Sequence, residues 1–185
     1  MQNITDEILA KAAEGDIAAF EAIYRATAKF VYNVAYRIVY NAQDAEEVTQ
    51  EVFLKVHKEL KNFRKESSIK TWIYRIASNS AINYSKKMAK EKSRNSEYRD
   101  DADQWQAAEA ETARRGQHQR EVVETLLRIL NPDQRLCVVL RSIEGLSYRE
   151  IAEVLKININ TVRSRLKRAR EKLLAMRREV VKDGV

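Results

Sequence analysis

Glycine and proline are almost absent from this chain, at four Gly and one Pro in 185 residues. Sandwiches, barrels and Gly-loop nucleotide folds need many tight turns, and those two residues build most of them. Their scarcity leaves helices joined by few connections. At 44% hydrophobic residues, the chain has enough apolar side chain to bury a core, which argues against wholesale disorder. The single Cys, Cys137, excludes a disulfide scaffold and a thiolate zinc site within the chain. His57 and His118 lie far apart without ligand spacing. No metal site and no cofactor is therefore expected. No apolar run approaches the roughly 20 residues of a membrane span. The opening MQNITDEILAKAAEGD is acidic and amphipathic, unlike a signal peptide. The expectation is a soluble, cytoplasmic, all-α protein.

The net charge of +7 is unevenly spread. Residues 1–60 carry net −4, 61–94 net +8, 95–121 net −3 and 122–185 net +6. Two basic blocks separated by an acidic, polar stretch suggest two surfaces for a polyanion. One such block alone is as readily a solvated surface. Two of them, each with the features below, point to nucleic acid.

Helix signals recur along the chain. Thr5 caps a first helix with Asp6 and Glu7 behind it. Gly15 breaks that helix and Asp16 can cap the next. Apolar residues from Phe20 to Ile38 then follow helical spacing. Asn41 interrupts; a third helix is expected over about 44–60 and a fourth over about 69–87. Residues 91–119 lack a sustained apolar period and have linker composition. The expected organisation is a helical domain over 1–90, a flexible linker over 91–119 and a second helical domain over 120–180. In that second domain, Asn131-Pro132-Asp133-Gln134 is a strong helix start, and Gly145 a stop.

Ser147-Tyr148-Arg149-Glu150 is a capping box before the apolar Ile151, Ala152, Val154 and Leu155. Lys156-Ile157 makes a turn, and Asn158 can cap a second helix. At about 100° per residue, Val162, Leu166, Ala169 and Leu173 form one narrow line, with Arg163, Ser164, Lys167, Arg168 and Arg170 pointing away from it. A short helix, a short turn and a second helix with a basic outer face make a DNA-binding helix-turn-helix. Lys156 stands where such turns often have Gly, and a left-handed backbone there costs about 1 kcal/mol.

The run LRSIEGLSYREIAEVLKININTVRSRLKRAREKL resembles the promoter-reading domain of the extracytoplasmic-function (ECF) sigma factors of bacterial RNA polymerase. DAEEVTQEVFLKVHKEL followed by FRKESSIKTWIYRIASNSAINYSKK resembles the other conserved domain of the same family, in the family's order. The resemblance covers about residues 5–90 and 120–178 and leaves the intervening stretch unmatched.

On the third helix, Ala45, Val48, Val52, Phe53, Val56 and Leu60 share one arc, opposite Asp44, Glu47, Gln50 and Glu51. An acidic stripe suits a basic protein partner better than DNA. The resemblance implies that Asp44, Glu47, Gln50 and Glu51 dock on core RNA polymerase. Between 62 and 87, basic side chains alternate with Phe63, Trp72, Tyr74 and Tyr84, a pattern suited to single-stranded DNA. The resemblance implies that Phe63, Arg64, Ser67, Ser68, Lys70, Trp72, Arg75, Asn79 and Asn83 read the −10 element, with a pocket over 63–68 for an extruded base. Trp72 also lies at core spacing, and the structural role is favoured for it. For the −35 duplex the implied contacts are Tyr148, Arg149, Asn160, Thr161, Arg163, Ser164, Lys167 and Arg168. Asn160 replaces a residue that is often Gly in the family. An anti-sigma factor, often membrane-bound in this family, is the implied regulator; no small-molecule substrate and no enzymatic activity are expected. A ligand-binding repressor or activator would share the helix-turn-helix but not the acidic stripe or the basic-aromatic segment. A nucleic-acid enzyme would need carboxylate or His clusters that the sequence does not display. A sigma mimic would have no need of the basic last helix.

Overall fold

The computed structural model describes residues 4–94, 123 and 125–182. The described residues are helical and contain no strand. Helix α1 is Asp6–Ala13, α2 is Ile17–Val39 and α3 is Ala42–Glu59, closed by a 3₁₀ turn at Leu60–Asn62; α4 is Ile69–Arg94. In the C-terminal half, a short helical turn at 125–128 precedes α5, Pro132–Val138. The chain then widens into a π turn at Val139–Ile143, followed by α6, Tyr148–Leu155, and α7, Ile159–Lys182.

The helix starts are set by local chemistry. The Thr5 hydroxyl accepts from the Ile8 amide, the Asp16 carboxylate from Ala19, and the Asn131 side chain from Gln134. Each satisfies one of the amides that a helix N-terminus leaves unpaired. Asn41, read as an interruption, is itself a cap: its side chain accepts from Asp44, so α3 begins at Ala42. Gly145, at φ +75°, takes the left-handed turn after the π segment. The Leu146 amide thereby reaches back to the Leu140 carbonyl.

Apolar residues repeating every three or four positions pack α2, α3 and α4 together. Val31, Val34 and Ile38 of α2, Val48, Val52 and Val56 of α3, and Ile73, Ala77 and Ala81 of α4 are all essentially fully buried. Burial of each such large aliphatic side chain contributes roughly 1.5–3 kcal/mol. The second half has its own centre, with Leu136, Leu140, Ile151, Val154, Val162 and Ala169 buried between α5, α6 and α7. Cys137 is buried there as a free thiol, and burial pushes its pKa up against the opposing pull of Arg165.

One departure from expectation concerns the length of a helix. Helix α4 continues past residue 90, so 91–94 are helix rather than linker. Ala89 and the Lys and Glu residues around it favour helix, and Lys87 pairs with Glu91 one turn on. The rest of the expected linker, 95–119, lies outside the described residues. The two halves also pack on each other, α4 against α6 and α2 against α5. The Arg135 side chain from α5 donates to the Ile38 carbonyl at the end of α2 (2.8 Å), and Arg75 of α4 donates to the Glu153 carbonyl in α6 (3.1 Å).

Candidate protein-docking and nucleic-acid interfaces

The acidic stripe of α3 is present as a surface. Glu47, Gln50 and Glu51 are exposed and Asp44 is half-buried. Glu51 pairs with Lys55 one turn along, at 2.5 Å. Beside the stripe runs an open groove between α2 and α3, lined by Phe20, Tyr24, Phe53 and Leu54 with Glu47 and Gln50 on its edge. Tyr24 and Leu54 are 44% and 56% exposed. An apolar floor with an acidic rim fits an amphipathic, basic helix of another protein. Leu54 signals this in the sequence, because it lies off the arc of Val52 and Val56 yet is apolar.

The basic-aromatic segment divides into outward and inward groups. Arg64, Ser68, Asn79 and Asn83 are exposed. Asn79 and Asn83 follow Arg75 at four-residue steps and so share its face of α4. Arg75 itself is half-buried, and its guanidinium is engaged by the Glu153 carbonyl. Ser68 caps α4: its hydroxyl accepts from the Thr71 amide at 3.0 Å and shares a hydrogen bond with the Thr71 hydroxyl at 2.8 Å. Ser67 and Lys70 are half-buried beside it. Phe63 and Trp72 are both half-buried with ring centroids 5.1 Å apart, so both rings serve the packing of the loop onto α4. Tyr74 stacks on Phe30 at 3.4 Å. Tyr84 turns the other way, toward α3, with its hydroxyl 2.8 Å from Asp44 and 3.3 Å from Glu47. Of the four aromatics in the segment, none stands out from the surface as a free stacking platform. Exposed polar and basic side chains are what the described surface offers a strand.

The helix-turn-helix forms as its sequence dictates. The Ser147 hydroxyl accepts from the Glu150 amide, and the Glu150 carboxylate accepts from the Ser147 amide at 2.7 Å. Those bonds hold the Glu150 carboxyl below its ordinary range. Lys156 adopts the left-handed conformation at φ +51°, so the turn has the usual geometry despite lacking Gly. The Asn158 side chain accepts from the Asn160 amide at the start of α7. Asn160 in turn accepts from the Arg163 guanidinium at 2.9 Å, and the Ser164 hydroxyl donates to the Thr161 carbonyl. Arg149, Asn160, Arg163, Ser164, Lys167 and Arg168 are exposed, while Tyr148 and Thr161 are half-buried. Tyr148 lies under the Arg141 guanidinium, 5.3 Å from ring centroid to charge. Arg165 is the one basic residue of this stretch turned inward, paired with Asp133 of α5 at 3.2 Å. Among the described residues there is no cluster suited to a metal ion and no helix long and apolar enough to cross a membrane.

Comparison with known proteins locates both halves. Residues 23–91 match the family model for sigma-70 region 2, and residues 120–173 that for sigma-70 region 4. The chain is 33% identical over 177 residues to the RNA polymerase sigma-H factor of Pseudomonas aeruginosa, covering 92% of each. It is 32% identical over 178 residues to the ECF RNA polymerase sigma-E factor of Escherichia coli, covering 92% of this chain and 93% of that one. Two solved structures share the fold. CnrH, solved with the cytosolic domain of CnrY, matches at a TM-score of 0.69 with 24% identity, over 94% of this chain and 97% of that one. The sigma factor RpoE of Bartonella quintana, solved with the anti-sigma factor NepR, matches at 0.67 with 20% identity, over 88% and 98%.

Proposed function

Because the chain belongs to the ECF sigma factors of bacterial RNA polymerase, we propose that its surfaces divide the work of promoter recognition. Sigma factors are transcription initiation factors rather than enzymes, so the task of this chain is to bind and to position. Helix α3 offers core polymerase its acidic stripe, Asp44, Glu47, Gln50 and Glu51, beside the apolar groove. The exposed residues of the 63–68 loop and of α4, with Arg75, Asn79 and Asn83, take the opened −10 strand. The α7 face, Arg163, Ser164, Lys167 and Arg168, enters the major groove of the −35 duplex, with Asn160 holding Arg163 at its leading end. Tyr148 and Arg149 hold backbone phosphates at the start of α6. The domains span about 1–90 and 120–180, with α4 running one turn past the first limit to Arg94, and the site of action is the cytoplasm, where polymerase and chromosome are.

The observation that carries this reading is the coexistence, in one chain, of an acidic-rimmed protein-docking face on α3 and exposed basic faces on α4 and α7. Regulation follows the same surfaces. An anti-sigma factor, the class of partner with which the Bartonella relative was solved, would cover the faces that polymerase and DNA need.

The test is run-off transcription with purified core polymerase on a genomic fragment library, with and without the chain. Specific new transcripts are expected only when it is present, with two shared upstream elements. Tight binding to duplex fragments by the chain alone, with no new transcripts, would replace this reading with that of a repressor or activator.

A further inference from the structure

Several acidic side chains on the first three helices pair with a basic neighbour one turn away: Glu7 with Lys11, Glu21 with Arg25 and Glu51 with Lys55. Asp44 and Glu47 differ. Among the described residues neither forms an ion pair, and what they share is the hydroxyl of Tyr84, at 2.8 Å from Asp44 Oδ1 and 3.3 Å from Glu47 Oε2. Three residues apart on α3, the two carboxylates sit on one face and repel. Left to itself, the longer Glu side chain would swing into solvent. A phenol has one proton to donate, so it neutralises neither charge; it fixes where both groups point. Burial and the two carboxylates push the Tyr84 hydroxyl well above its ordinary pKa, so it remains a donor across the physiological range. Asp44 Oδ2 and Glu47 Oε1 are left to accept from outside. Two neighbouring carboxylates tied to one hydroxyl, neither in an ion pair among the described residues, match the planar fork of a guanidinium better than a point-charge ammonium.

We propose that Tyr84 is a positioning residue for polymerase docking, its hydroxyl presetting Asp44 and Glu47 as a paired acceptor for an arginine of the polymerase. The inference rests on the reading of α3 as the docking face. It also moves Tyr84 from the promoter-contacting aromatics, where its place in the sequence put it, to the opposite side of α4.

The experiment is a thermodynamic cycle. The affinity of the full chain for core polymerase is measured for the native protein, Tyr84→Phe, Asp44→Ala and the double variant, with Glu47→Gln in parallel and melting temperatures recorded. Tyr84→Phe keeps the ring and removes one hydrogen bond, so affinity should fall about 3- to 10-fold. The same substitution added to Asp44→Ala should cost clearly less, because the main partner is already gone. If Tyr84→Phe lowers affinity equally in both backgrounds, its effect is a loosened fold and the proposal fails. If Tyr84→Phe retains native affinity while Asp44→Ala and Glu47→Gln lose it, the proposal fails and the docking reading stands. If all three retain native affinity, the docking reading fails with it.

Discussion

Arg135 shows how much one side chain can hold together. It is 8% exposed, and its guanidinium donates to the carbonyls of Leu127, Arg128, Leu130 and Ile38 while lying 4.7 Å over the Tyr40 ring. No carboxylate takes part in those bonds, and burial lowers the guanidinium pKa from its ordinary value, yet an arginine so far above neutrality stays charged. The charge is tolerated because backbone carbonyl dipoles converge on every edge of the fork. Replacing it strands those carbonyls inside the protein. Arg135→Leu should therefore destabilise the chain by about 2–4 kcal/mol, and Arg135→Lys should recover little, since an ammonium cannot span acceptors from both halves. Urea unfolding of the two variants checks this; native stability in Arg135→Lys would show that charge, not the fork, is what matters.

At the scale of elements, each helix has a working face and a packing face, and α7 separates them most cleanly. Arg165 turns inward to Asp133, whereas Arg163, Lys167 and Arg168 stand in solvent. Equal charges on one helix should thus behave unequally. Lys167→Ala is expected to reduce the salt dependence of promoter binding by the holoenzyme by about one unit of slope, and Arg165→Ala to leave the slope unchanged while lowering the melting temperature. The same slope loss in both variants would contradict this division of the helix. Elements of this kind were legible in advance because their grammar is local. Thr5, Asp16, Asn131 and the Ser147–Glu150 box each act within three residues, and the apolar line of α7 repeats within a turn. What stayed hidden was long-range: Tyr84 meets a carboxylate 40 residues away and Arg135 a carbonyl 97 residues away. No spacing rule encodes such meetings. Pattern alone also does not separate stacking from packing, because Phe63, Trp72 and Tyr74 look equally suited to a base or to a neighbouring ring, and each has a ring neighbour within the protein.

For the whole molecule, the packed arrangement of the halves carries its own titration. Glu144, at the end of the π segment, faces Lys29, Asn33 and Arg37 of α2 and bears on Tyr74 of α4. Burial raises its pKa above the ordinary 4.5, and the two cations and Asn33 oppose that rise without cancelling it. A carboxyl whose pKa is higher in the packed form than in the separated form favours packing when protonated. That contribution is complete below the ordinary carboxylate pKa and is lost as pH rises through the raised value. Small-angle scattering on the full chain should therefore show a more compact molecule at about pH 5 than at about pH 7.5, and Glu144→Gln should weaken that trend and favour the compact form at neutral pH. An unchanged pH profile in the variant would remove Glu144 from the account.

Arg75 gives this arrangement a further meaning. Its guanidinium is already held by the Glu153 carbonyl in α6, where the helix dipole adds to the attraction. A strand that used Arg75, as proposed above, would compete with the protein's own backbone for one edge of that guanidinium. If Arg75 is a strand contact as proposed, the internal bond lowers the free chain's affinity for every strand by the same factor. On the proposed reading of Arg75 as a −10 contact, packing of the two halves would weaken strand binding by the free chain and parting them would restore it.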